Sequence, residues 1–157
     1  MKKATWHGSV LLLLAGLAGA VQAQGCDAGN RLSAAQIRTL LNGNTICVAS
    51  ASGWESQEQH RASGGGLATS AMTSGDLWDY RRGPGDATDP STKVGSWTVS
   101  SLSLGSSAGV GGSVTYSYGT AGSGVYSVHG SGAVGSPHAF CGPVIVSALI
   151  KAGQGGC

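Results

Sequence analysis

Ser113-Val114-Thr115-Tyr116-Ser117-Tyr118 alternates a small polar residue with an apolar or aromatic one at every step. Successive side chains of an extended strand point to opposite faces, so this spacing puts Val114, Tyr116 and Tyr118 on one face and the hydroxyl residues on the other. Residues 119–124, rich in glycine, then connect to Val125-Tyr126-Ser127-Val128-His129, a second β-type run. The pair reads as two neighbouring strands of an antiparallel meander. Outward from this hairpin the chain breaks into more short runs of the same kind, at residues 45–49, 54–61, 76–81, 95–99 and 139–141, punctuated by glycine and serine. The expected fold is therefore mainly β: a small antiparallel β-barrel or a strongly curled meander sheet.

Composition points the same way. Glycine supplies 28 of the 157 residues, more than twice its average share of about 7 per cent. Each glycine inside a helix costs about 1 kcal/mol relative to alanine, so a mainly helical body is excluded. There is no G-X-Y period. Four tryptophans and four tyrosines favour strands over disorder.

Two helices frame the expected sheet. Ser33 is placed as N-cap with Gln36 at the capping-box position, Leu32 is set to staple onto Ile37, and Asn42-Gly43 supplies the stop. At the other end, Val144, Ile145, Ala148, Leu149 and Ala152 fit a helical stripe opened by Pro143, which predicts a C-terminal helix over 143–152. The β-branched run Val144-Ile145-Val146 makes a final strand the alternative. Two Gly/Ser-rich stretches, near 62–74 and 100–112, are expected as loops, and residues 82–90 as a dense turn.

Lys2 and Lys3 precede an apolar run at residues 10–18, followed by small residues up to Ala23. That is the layout of an export signal at 1–23, with a single domain over 24–157. The run is shorter than the roughly 20 residues a membrane-spanning helix needs, so no span is expected once the signal is removed. The formal charge of +2 falls on those two lysines, which leaves no basic stripe of the kind a nucleic-acid partner requires. The expected location is periplasmic or extracellular, where Cys26, Cys47, Cys141 and Cys157 would form two disulfides. Four cysteines allow three pairings. Cys47 with Cys141 and Cys26 with Cys157 is favoured, because it joins an early strand to a late one and ties the two ends together.

Read in order, Leu32-Ser33 with Gln36-Ile37, Gly43-Asn44-Thr45-Ile46-Cys47, Trp54, Glu58-Gln59-His60, Asp79-Tyr80-Arg81-Arg82-Gly83-Pro84, Asp89-Pro90-Ser91-Thr92 and Val94-Gly95-Ser96-Trp97 form a recognisable series. It closes with residues 114–119, Tyr126-Ser127-Val128 and Phe140-Cys141. The series resembles a group of short secreted proteobacterial proteins of unassigned function. The resemblance implies a small lipocalin-type, calycin-like antiparallel barrel and carries no activity with it.

Candidate site residues fall into two groups. Trp54, Trp78, Tyr80, Trp97, Tyr116, Tyr118 and Tyr126 are the natural lining of a barrel, and rings with polar tips suit a small apolar or amphipathic ligand. A filled core is the plainer alternative. On an extended strand Trp54, Ser56, Glu58 and His60 share one face, and Glu58 with His60 is the densest polar pair; a solvated strand face is its plainest reading. No H-E-x-x-H or C-x-x-C spacing occurs, and an acyl-transfer site would need a base and an orienting acid beside its serine, so no catalytic set, metal site or cofactor is expected. Arg81, Arg82, Asp86 and Asp89 read as surface charges. The expectation is a non-catalytic exported domain that binds a small apolar or amphipathic molecule. A module that binds or inhibits an envelope protein is the alternative, and a metal-dependent or hydrolytic enzyme using Glu58 and His60 ranks below both.

Overall fold

A computed structural model describes residues 25–50, 53–79, 92–102, 111–154 and 157. The described residues open with a 3-10 turn and the helix α1 (Ala34–Leu41), and eight strands follow: β1 (Thr45–Ser50), β2 (Gly53–Arg61), β3 (Ser74–Asp79), β4 (Thr92–Leu102), β5 (Gly111–Ser117), β6 (Ser123–Gly130), β7 (Pro137–Cys141) and β8 (Ile145–Lys151). Each strand pairs antiparallel with the next, and β8 pairs back onto β1 to close an up-and-down barrel. Closure leaves no sheet edge.

The quoted hexapeptide forms most of β5, and its alternation sets the inward face as read. Val114 pairs with Tyr126 and with Val99, and Tyr116 pairs with Trp97. Residues that pair directly share a face, so the register carries the inward set around the barrel. On β1 it includes Ile46, on β2 His60, on β3 Leu77, on β6 Val128, on β7 Phe140 and on β8 Ile150. All of these are buried.

One end of the barrel is plugged by α1. Ser33 accepts from the Gln36 N–H at 3.3 Å, while the Gln36 side chain accepts from the Ser33 N–H at 2.9 Å, completing the capping box. Gly43 ends the helix with φ +75°, the left-handed conformation that glycine adopts without strain. Leu32, Ile37, Leu40 and Leu41 are buried against the barrel core, and the helix packs on β4 and β5. Leu32 also wedges its backbone between β5 and β6 where they part, donating to the Val128 carbonyl at 2.8 Å and accepting from the Gly112 N–H at 2.9 Å. Gly112 makes this approach possible, since a Cβ there would lie 2.5 Å from the Ala34 nitrogen.

Two expectations are corrected. Residues 145–151 form a strand and not a helix, because β7 and β1 each offer a free row of backbone groups that only an eighth strand satisfies. Of the Gly/Ser-rich stretch near 100–112, residues 103–110 lie outside the described residues, and on either side of them β4 and β5 stay paired out to Leu102 and Gly111. The disulfides join Cys26 to Cys141 and Cys47 to Cys157. β8 lies between β1 and β7, so Cys47 and Cys141 are not neighbours. The segment around Cys26 and the tail at Cys157 instead fold onto the outside of the barrel separately. The N-terminal segment crosses His129, whose Nδ1 meets the Asp27 carbonyl at 2.8 Å. The C-terminal tail returns over β1 and β2, with Thr45 Oγ1 donating to the Gly153 carbonyl and the Cys157 N–H donating to Gln57.

Candidate ligand-binding site

Tyr116 on β5 and Tyr118, just past its end, reach across the barrel to β2, a strand that β5 does not adjoin. Deep in the interior, Tyr116 Oη lies 3.1 Å from His60 Nε2. One layer above, Tyr118 Oη donates to Glu58 Oε2 at 2.8 Å. The two bridges divide the interior unequally. On the side of β3 and β4 the space is filled by Leu77 and Trp97, both buried, with the Trp97 Nε1–H donating to the Arg61 carbonyl at 3.1 Å.

On the other side a half-open cavity of 280 Å³ remains. Ile46, Val48, Phe140 and Val146 give it an apolar wall; Tyr116, Tyr118 and Tyr126 add three rings; Ser56 and Glu58 supply a polar strip. Tyr126 and Phe140 stand at 6.0 and 6.5 Å from the Tyr116 ring, centroid to centroid and tilted, so the rings form one continuous surface. Among the described residues none on β3 or β4 lines it. The volume is just under the roughly 300–1,000 Å³ of drug-sized sites, which suits a smaller molecule.

Electrostatics separate the two polar residues of β2. Burial raises the Glu58 pKa above the ordinary carboxylate value; the hydrogen bonds from Tyr118 and Ser56 pull it down, and Asp79, opposite it on β3, pushes it up again. His60 is fully buried, and burial holds its pKa down to about 3, with the Asn44 backbone pulling weakly the other way. Its ring is neutral at ordinary pH. Burial and the nearby Glu58 push the phenols of Tyr116 and Tyr118 up, so both stay protonated.

The predicted lining residues are distributed unevenly. Tyr116, Tyr118 and Tyr126 line the cavity, whereas Trp97 lies inside the barrel in the packed core beneath it. Trp78 is on the outer face: it pairs with Gln59 and carries the Arg61 guanidinium 5.0 Å above its ring. A register shift between Val48 and Ala49 sets Trp54 opposite Ala49 while Ser56 stays opposite Val48, so the alternation counted along β2 does not extend to Trp54. The Trp54 side chain lies outside the described residues, as do Tyr80, Arg81, Arg82, Asp86 and Asp89.

Glu58 and His60 share the inward face and not a solvated one, and each is engaged by its own tyrosine. His129 and His138 are held elsewhere, His129 by Ser127 and Asp27, His138 by the Ser136 carbonyl and the Gly132 N–H. Among the described residues no three of His, Cys, Asp and Glu come together as metal ligands. Sequence reading missed Ile46, Val48, Phe140 and Val146. The signal for the first two was present, because Cys47 between them points outward to Cys157.

The chain matches no protein-family model, no curated protein and no solved structure.

Proposed function

We propose that this chain is a non-catalytic, exported, lipocalin-like domain that binds one small amphipathic molecule in the barrel. The observation that carries the reading is the half-open cavity with apolar walls and a single polar strip. An apolar body leaves water on one side, while Glu58, Ser56 and the phenols orient the polar end on the other. Export is supported by two disulfides, which persist in oxidising compartments. Among the described residues no helix is long and apolar enough to cross a membrane.

Native mass spectrometry of the protein purified from its own cell envelope tests the reading, paired with a Val146→Phe variant that fills the cavity. A co-purified small molecule carried by the parent and missing from the folded variant is the expected result. An unliganded parent that takes up no amphipathic probe would overturn it.

The second reading, contact with an envelope protein, is favoured by the rim. Val125, Val144 and Ile145 are 55, 60 and 69 per cent exposed, and the β7–β8 turn runs beside Val125, where a Cβ on Gly142 would lie 2.4 Å from its carbonyl oxygen. Cross-linking in the envelope that is lost in a Val144→Ser/Ile145→Ser double variant, with cavity binding intact, would favour it over the first.

A further inference from the structure

Among the described residues Glu58 is the only carboxylate on the cavity wall, and no lysine or arginine lines the cavity. Among the described residues it has no ion-pair partner either; its bonds are to the hydroxyls of Tyr118 and Ser56. A carboxylate in this position is partly removed from bulk water with no counter-charge among the described residues, an arrangement that normally calls for one. The walls around it are aromatic. Tyr116, Tyr118 and Tyr126 bring ring faces to the same space, and a ring face attracts a cation through its quadrupole.

We propose that the cavity takes a small organic cation, a primary or methylated amine with an apolar body, whose ammonium sits between the Glu58 carboxylate and the tyrosine rings. This deepens the binding reading above and rests on it. The three ligand charges are discriminated by the same wall. An anion meets the Glu58 carboxylate and is repelled. A neutral molecule displaces water and leaves the carboxylate uncompensated. An ammonium ion supplies the missing charge, and its hydrocarbon part reaches Ile46, Val48, Phe140 and Val146, where apolar surface is covered.

The pairing also sets a pH dependence. Among the described residues the groups that face Glu58 are Ser56 on its own strand, Asp79 on β3, Tyr116 on β5, Tyr118 just past the end of β5 and Tyr126 across the cavity on β6. Protonation of Glu58 removes the charge the amine pairs with, so amine affinity falls as pH drops through the raised Glu58 pKa. A neutral ligand has no such term.

Isothermal titration of the whole protein with 2-phenylethylamine, 2-phenylethanol and phenylacetate tests this, because the three share one apolar body and differ in charge. The expected result is an amine preference of roughly tenfold or more over the alcohol, no measurable phenylacetate binding, and weakening of the amine alone on acidification. In Glu58→Gln, with its melting temperature checked, the amine and the alcohol bind alike. Should the alcohol match or exceed the amine in the parent, the cation inference falls and the binding reading stands. Should none of the three bind, and native mass spectrometry show no other small molecule, both fall together.

Discussion

His60 shows how one side chain can be legible in type and illegible in role. On β2 it lies among Gln57, Glu58, Gln59 and Arg61, a run that reads as polar, yet it is fully buried. The pH consequence follows from its folded pKa of about 3 against an ordinary value of 6.5. Between those values the unfolded chain binds a proton that the native protein refuses, so the stability present above pH 6.5 is lost as pH falls toward 3. The limiting slope is about 1.4 kcal/mol per pH unit. Glu58 acts with the opposite sign: its raised pKa gives stability that is full below 4.5 and lost as pH rises through the folded value. Denaturant melts of the parent and of His60→Gln at pH 7, 6 and 5 separate the two, and the variant is expected to lose its acid-sensitive slope. The Tyr118→Phe change has a second expected outcome. It removes a hydrogen bond that holds the Glu58 pKa down, so the Glu58 carboxyl titrates higher still, which its side-chain carbon shift in NMR reads directly.

Among the elements, α1 has the clearest sequence signature and the weakest means of standing alone. Its eight residues fall below the length at which an isolated helix holds in water, so its stability comes from Leu32, Ile37, Leu40 and Leu41 closing the barrel end. Burying each such side chain contributes about 1.5–3 kcal/mol. Gly112→Ala places a methyl against the Ala34 backbone and the Ile37 side chain, and overpacking of this kind costs about 1–3 kcal/mol. Ser33→Ala removes only the cap, at about 1 kcal/mol. Chemical denaturation of the two variants is expected to rank them in that order. For β8 the sequence carried two periods at once. Val144, Ile145, Ala148 and Leu149 satisfy a helical spacing, while Val146, Ala148 and Ile150 satisfy a strand facing Phe140, His138 and Ile46. Local pattern cannot separate these, and the open edges of β7 and β1 can.

Across the whole molecule, the two disulfides act as independent clasps, one for each end of the chain. Their partners are 115 and 110 residues apart, and closing loops of that length restricts the unfolded chain strongly. Removal of a native disulfide from a small domain typically costs about 2–5 kcal/mol. Cys47→Ser/Cys157→Ser is expected to release the C-terminal tail from β1 and β2, and Cys26→Ser/Cys141→Ser the N-terminal segment from β6 and β7. Hydrogen exchange should show the loss of protection confined to a different end in each variant, with both melting below the parent. A pairing of Cys47 with Cys141 would predict one merged region instead.

Alternation in β5 and β6, the capping box at Ser33 and the glycine content were enough to specify an antiparallel, mainly β body with Val114, Tyr116, Tyr118 and Tyr126 on one face, because strand and helix periods are local properties of the chain. Closure was not local. Only when β8 met β1 did Glu58 and His60 turn from a polar strand face into an interior one, Trp78 fall on the outer surface opposite Gln59, and each cysteine find the partner that topology set beside it. Which face of a strand is inside depends on what lies across the barrel from it, and for β2 that is β5, more than fifty residues further along the chain.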